Sequence, residues 1–298
     1  MKRQEIRTSR PRHAGSVLVT GASSGIGEAT ALALDRQGFS VFAGVRRKDA
    51  AEQLRQKASE RLTPLLLDVT DRASIACAAE RLQQCTGENA LHGLVNNAGI
   101  AVGGPLEYVP IEALREQLEV NVVGTVAVTQ AMLPLLRRAA GRIVNIGSTS
   151  GRLATPLIGS YCASKFALEA ITEVLRLELR PSDIHVIDIV PGIIRTPMWD
   201  KSIAAFEALI NDLPPEGQAL YKSALLAARD YAKGLRGTPA EKVARKVVQA
   251  LTAKKPRIQY IVGENALAEL AAASLPRRLR GRLISLVFPI KRADSHSK

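Results

Sequence analysis

The chain has 298 residues, 46% hydrophobic but only 4% aromatic, and a formal net charge of +13. Its three cysteines (Cys77, Cys85, Cys162) form no CxxC pair and its four histidines (His13, His92, His185, His296) no cluster, so a disulfide framework and a metal site are not expected. The charge sits at the ends: residues 1–15 hold five basic residues and one acid and residues 276–298 seven and one, which leaves a nearly balanced body without the basic face that nucleic acid requires.

The basic start "MKRQEIRTSRPRHAG" is not followed by a signal-peptide core, and no run of about 18 strongly apolar residues suggests a spanning helix, so the expected location is cytoplasmic. Short β-branched runs then alternate with longer helical patterns. The predicted strands are Val17–Thr20, Ser40–Val45, Thr63–Asp68, Gly93–Asn96, Arg142–Ile146, His185–Val190 and Gln259–Val262. The predicted helices are Gly25–Gln37, Ala73–Gln84, Ile111–Arg138, Tyr161–Arg180 and Ala240–Thr252. Strict βα alternation with apolar strands implies an α/β fold, a doubly wound parallel sheet of seven strands with helices on both faces. The expected organisation is a basic tail over 1–15, one catalytic domain over 16–263 with a substrate lid at about 193–237, and a helical basic appendage over 264–298.

Several short stretches carry chemistry. In "VLVTGASSGIGEAT", a strand ends at Thr20 and glycines at 21, 25 and 27 open a helix, a turn that lets backbone approach a pyrophosphate at the positive helix end. Ser23, Ser24 and Ile26 belong to the same loop. After the second strand come Arg46, Arg47 and Lys48, where an acid would bind ribose hydroxyls. A guanidinium there suits a ribose 2′-phosphate, although solvated charges opening a loop would look the same. Asp68, followed by Val69, ends the third strand and fits either an adenine amino group or a turn. "LVNNAG" ends the fourth with Asn96, Asn97, Ala98 and Gly99, small residues that would let a cofactor lie on the strand tips or simply form a turn.

"GSYCASKFALEA" places Tyr161 and Lys165 on one helical face, and Ser148 stands at a strand end thirteen residues before the tyrosine. Taken with TGxxxGxG (Thr20 to Gly27), NNAG (Asn96 to Gly99), a helical Asn121 and the pair Pro191–Gly192, the sequence resembles the short-chain dehydrogenase/reductase family. The wording "YCASKFALE" further resembles the branch that contains 17β-hydroxysteroid and retinol dehydrogenases. The resemblance implies a Rossmann-type fold, an NAD(P) cofactor and an Asn121, Ser148, Tyr161, Lys165 active site. It also implies that Tyr161 exchanges a proton with the substrate oxygen, that Ser148 holds that oxygen, and that Lys165 binds the nicotinamide ribose. The Asn121 backbone would hold a water in a relay to the lysine; an amide packed within a helix is the other role open to it. Ile194 and Thr196, in "VPGIIRTPMWD", would hold the nicotinamide carboxamide, and Thr196–Pro197 equally suits a helix start.

An ordinary phenol titrates near 10, so a phenolate at neutral pH needs a downward shift of roughly three units, favoured by Lys165 and an oxidised nicotinamide. NADP(H) is the expected cofactor, with NAD(H) second. The lid, with Trp199, Phe206, Leu209, Ile210, Leu213, Leu220, Tyr221, Leu225 and Leu226, and "LATPLI" (Leu153 to Ile158) suggest a pocket for a hydrophobic alcohol or ketone of steroid, retinoid or other lipid-like type. Packing of the lid on the body is the alternative. Expected partners are that substrate and a second copy of the chain in a homo-dimer or tetramer. The tail "LPRRLRGRLISLVFPIKR" reads as a basic amphipathic helix suited to peripheral membrane contact, or to packing on the lid or a neighbouring subunit. A cofactor-binding scaffold without turnover is the competing function, disfavoured because a scaffold has no need of all four active-site residues.

Overall fold

A computed structural model describes residues 15–86, 90–198, 204, 208–209, 211–234 and 236–290. Seven strands form one parallel sheet: β1 (Ser16–Val19), β2 (Ser40–Val45), β3 (Leu62–Leu66), β4 (Leu91–Asn96), β5 (Arg142–Ile146), β6 (His185–Pro191) and β9 (Gln259–Val262). Their order is β3-β2-β1-β4-β5-β6-β9. The order reverses between β1 and β4, where chain ends diverge to open a crevice at the carboxyl edge. Two further strands, β7 (Ile194–Arg195) and β8 (Thr238–Pro239), make a separate two-residue parallel pair.

Alternation sorts the strand residues between two apolar layers. Val17 and Val19 face one side, where α1 (Gly25–Arg36), α2 (Lys48–Arg55) and α8 (Ala240–Thr252) supply Leu34, Leu54, Val243 and Val247. Leu18 faces the other, where α3 (Arg72–Thr86) and α5 (Gly124–Ala139) supply Leu82, Met132 and Leu136. Each fully buried large aliphatic side chain contributes about 1.5–3 kcal/mol, and both layers run the length of the sheet. In α8, Val243, Ala244, Val247 and Ala250 recur at three and four residues, so one stripe enters the core.

Three elements depart from the sequence expectation. The segment Arg46–Asp49, one reading of which was an open loop, starts the helix α2, with Arg47 at its N-cap position. The single helix expected over Ile111–Arg138 is α4 (Ile111–Leu118), a π-helical turn over Glu119–Val123, and α5. One extra residue in that turn rotates Asn121 relative to a regular helix. Ile111–Ala139 also reaches the length and mean hydropathy (1.3) of a spanning helix, although no such run was expected. Its apolar face is spent on the sheet and α3, as for a core helix of a folded body.

The remaining helices are α6 (Gly159–Glu178), α7 (Pro215–Gly234), α9 (Ala266–Ala273) and α10 (Arg277–Val287). Leu213, Ala224 and Leu225 form a small core with Leu157, joined by Tyr108, Tyr221 and Phe288. That packing is the alternative foreseen for the apolar lid residues, and it brings the C-terminal appendage onto the lid. Trp199, Phe206 and Ile210, and the tails 1–14 and 291–298, lie outside the described residues.

Candidate active site

The glycine turn and the turn after β4 are stapled together. The Thr20 hydroxyl accepts from the Asn97 and Ala98 N–H groups, both at 3.0 Å, while Asn97 Nδ2 donates to the Thr20 and Gly21 carbonyls at 2.9 and 3.0 Å. Gly21 takes φ +63°, and a Cβ there would come within 2.7 Å of Ala98 Cα. On Gly27 a Cβ would lie 2.2 Å from the Gly21 carbonyl oxygen, so only hydrogen fits. Thr20 and Asn97 therefore shape the cleft through bonds within the protein. Ser23 and Ser24 are exposed at the start of α1, and Ile26 packs partly into the core.

This cradle suits a dinucleotide. The N–H groups of the first turn of α1 point toward the crevice beside two exposed hydroxyls, the donor set a pyrophosphate requires. At the adenosine end, exposed Arg46 follows β2 and lies within electrostatic range of Asp68. Burial works against ionisation of Asp68, but bonds from Thr70 and the Arg46 charge outweigh it and hold the carboxyl below its ordinary value. Asp68 Oδ1 accepts from the Thr70 N–H at 2.9 Å and its hydroxyl at 2.7 Å, which makes it a turn-former as well as a cleft residue. Arg47 pairs with Asp49 at 3.0 Å. Val69 is buried, and a Cβ on Gly124 would meet its Cγ2 at 2.8 Å.

On the far side of the crevice, β6 ends at Pro191, Gly192 donates to Val262 at 2.8 Å, and Ile194 enters β7. Thr196 then comes back over the glycine turn, its Cγ2 3.1 Å from where a Cβ of Gly25 would stand. The structure thus brings the predicted cofactor residues of four segments around one crevice.

Tyr161 projects from α6 at the mouth of that crevice and is hydrogen-bonded to Ser148. Ser148 caps the 3₁₀ turn Thr149–Gly151, accepting from Ser150 N–H at 3.1 Å, which holds its hydroxyl in place. One helical turn on, Lys165 is buried, with Nζ 5.7 Å from the Tyr161 ring centre and donating to the Ile146 carbonyl at 2.7 Å. Burial pushes the Lys165 ammonium down to about 8, against the attraction of Asp188. Burial likewise pushes the Tyr161 phenol up to about 12, while the bond with Ser148 pulls the other way. This reverses the direction that a neutral-pH phenolate needs: the chain's own groups favour the neutral phenol, because desolvation outweighs a lysine directed at a backbone carbonyl.

Asn121 is buried in the π-helical turn. Its Oδ1 accepts from Ile100 N–H at 2.9 Å, and its Nδ2 donates to the Ile100 carbonyl and to Ser164 Oγ, both at 3.0 Å. Its side chain is thus the packed amide that the sequence left open, while its carbonyl accepts from Thr125 Oγ1 at 3.1 Å. Gln117, one turn earlier and also buried, was not singled out from the sequence. It accepts from Val102 N–H at 2.7 Å and donates to the Ile100 carbonyl at 2.6 Å, so two amides clamp the loop after NNAG. Its only sequence signal was a glutamine on the inner face of an amphipathic helix. A surface cavity of about 540 Å³ runs along α7, lined by Pro215, Gln218, Lys222 and Leu226, apart from the Tyr161 face.

The comparisons with known proteins agree with this geometry. The short chain dehydrogenase family model matches residues 15–206. The chain is 38% identical over 292 residues to retinol dehydrogenase 5 of Mus musculus, covering 95% of this chain and 92% of that one. It is 38% identical over 282 residues to 17-beta-hydroxysteroid dehydrogenase type 6 of Bos taurus, covering 92% and 88%. Among solved structures, a short chain dehydrogenase from Burkholderia cenocepacia in complex with NADP superimposes with a TM-score of 0.70 at 29% identity, covering 91% of this chain and 98% of that one.

Proposed function

The chain belongs to the short-chain dehydrogenase family, and from that premise we propose that it moves a hydride between NADP(H) and the carbinol or carbonyl carbon of an apolar, lipid-like alcohol or ketone. The observation that carries this reading is the Tyr161 hydroxyl bonded to Ser148, with the Lys165 ammonium behind its ring, at a crevice floored by the glycine turn. The nicotinamide supplies or accepts the hydride. Ser148 holds the substrate oxygen, and Tyr161 gives it a proton in carbonyl reduction or takes one in alcohol oxidation. The neutral phenol favoured by burial is the donor form, which suits reduction. Lys165 orients the nicotinamide ribose, and Asn121 and Gln117 keep the Ile100–Val102 loop in place beside it.

Exposed Arg46 beside Asp68 supports a ribose 2′-phosphate, hence NADP(H) over NAD(H). Residues 193–237 are the substrate lid of one catalytic domain over 16–263, and a steroid- or retinoid-like substrate fits the apolar contribution of Leu157, Leu209 and Tyr221 beside it. Val123, Phe166, Val174 and Leu177, on the π turn and α6, are exposed large hydrophobics, which supports a homo-dimer or tetramer through those helices. The protein works in the cytoplasm at membrane surfaces, held by α10, a helix with no buried residue that joins four arginines to exposed Leu279, Leu283 and Leu286.

The test is a screen of NADPH and NADH turnover over steroid, retinoid, acyl and small polar carbonyls. Turnover of lipophilic ketones with NADPH, lost in Tyr161→Phe, is the expected result. NADPH binding without any turnover would leave a scaffold, and activity restricted to small polar sugars would remove the apolar pocket.

A further inference from the structure

Four side chains form a polar row across the sheet just below the crevice. Asn96, Asn145, Asp188 and Gln259 occupy register-matched positions on β4, β5, β6 and β9. Asn96 Nδ2 donates to Asn145 Oδ1 at 2.9 Å, Asn145 Nδ2 to Thr172 Oγ1 of α6 at 2.8 Å, and Gln259 Nε2 to Asp188 Oδ2 at 3.2 Å. Three members of the row are neutral amides. The fourth is a carboxylate with 5% exposure, in a strand interior where an apolar residue would pack at no electrostatic cost.

Its surroundings point it toward the catalytic lysine. Gly147, between Ile146 and Ser148, makes room for it: a Cβ there would lie 2.5 Å from Asp188 Oδ1. The residue before Gly147 is Ile146, whose carbonyl holds Lys165 Nζ at 2.7 Å. The carboxylate therefore reaches across the strand at the point where the lysine ends. We propose that Asp188 is the buried counter-charge of Lys165, a positioning residue that keeps the ammonium charged and so sets the pH range over which Tyr161 exchanges its proton.

The other groups facing Asp188 are consistent with this role. From α6 come Lys165 and Glu169; from the turn after Ser148 comes Arg152, which donates through Nε to Glu169 Oε1 at 2.6 Å; from β9 comes Gln259. Arg152 and Glu169 satisfy each other at the edge, which leaves Lys165 and Asp188 as the inner pair. Asp188 is pushed up to about 6 by burial, with the Gln259 bond, Arg152 and Lys165 opposing and Glu169 adding to the rise. It is thus ionised at neutral pH, where Lys165 needs it.

The inference rests on the roles given to Tyr161 and Lys165, and its test separates the two. Removing one negative charge lowers the proton affinity of every neighbouring group, whether Tyr161 or Lys165 controls the observed limb. In Asp188→Asn, which keeps the shape and the Gln259 contact, the alkaline limb of NADPH-dependent carbonyl reduction moves to lower pH by about one unit. Asp188→Glu restores most of that shift. Independently of turnover, the Lys165 titration in the ligand-free full chain, read by NMR of 13Cε-labelled lysine and assigned with Lys165→Met, moves down in the same direction. If Asp188→Asn does not fold, Asp188→Ser and Gln259→Met, which strips the bond holding the carboxylate, are read the same way. A folded variant with an unmoved Lys165 midpoint and an unmoved limb overturns the proposal. A wild-type chain without turnover but with the Lys165 shift overturns the functional reading and supports the counter-charge.

Discussion

Lys165 lies behind Tyr161, its Nζ 5.7 Å from the ring centre, and its hydrogen bond goes to the Ile146 carbonyl. The tyrosine hydroxyl meets Ser148. Each of the three side chains thus has a separate anchor, and the tyrosine alone carries a proton to the substrate. Tyr161→Phe should lower kcat/KM by about 10²–10⁴, with NADPH affinity within about twofold of wild type. Steady-state kinetics beside NADPH fluorescence titration check both halves.

Arg46 is exposed and Arg47 is engaged with Asp49, so the two arginines are not equivalent toward a phosphate. Arg46→Ala should cost about 10- to 100-fold in kcat/KM with NADPH and leave NADH little changed, since a charge-assisted bond to phosphate is worth about 1.5–3 kcal/mol. Arg47→Ala should have the smaller effect. The ratio of the two cofactors in each variant is the measurement.

Gly27→Ala forces a methyl to within 2.2 Å of the Gly21 carbonyl oxygen and 2.4 Å of Asn97 Nδ2. Backbone cannot yield there without parting the stapled turns, so stability should fall by about 1–3 kcal/mol and NADPH binding with it. Urea unfolding and cofactor titration read the two effects separately.

Asp188 also leaves a mark on stability. Its folded value, about 6, is above the ordinary carboxyl value, so the native state binds more protons than the unfolded chain between those limits. The stability it contributes is fully present at lower pH and is lost as pH rises through 6. Asp188→Asn removes the loss: it should be more stable than wild type at pH 8, on the order of 2 kcal/mol, and little different near pH 4. Urea midpoints at both pH values test the sign.

On α10, Leu286 is 81% exposed beside Leu279 and Leu283. Replacing Leu279 and Leu286 by Glu should sharply reduce cosedimentation with phosphatidylserine vesicles while turnover of a soluble ketone persists. Equal partitioning of variant and wild type would remove the membrane role.

Much of this arrangement was legible in the residues. β2, β5, β9 and α8 have the predicted limits because β-branched runs and a clean helical stripe mark them, with Gly, Pro or a charge change at their ends. Tyr161, Ser148 and Lys165 meet as their spacing and order implied. The π turn at Glu119–Val123 was hidden because "EVNVV" contains no glycine or proline, and the extra residue is stabilised by tertiary bonds from Asn121. Asp188 gave no signal either, since one acid in "HVIDIVP" is compatible with any strand; its meaning depends on Gly147 and Lys165, 41 and 23 positions away. Two-residue strands such as β7 and β8 are shorter than any periodicity can register.

That last pair has an evolutionary consequence. Ile194 pairs with Thr238 and Arg195 with Pro239, so the chain leaves for the 196–237 excursion and returns from it at one clasp. Lengthening such a loop twofold costs only about 0.6 kcal/mol in closure entropy. What lies between the clasp's two halves can be rewritten like an interchangeable tool head, while Tyr161, Lys165 and the sheet beneath remain as they are. Selectivity and chemistry in this chain are thereby free to diverge at different speeds.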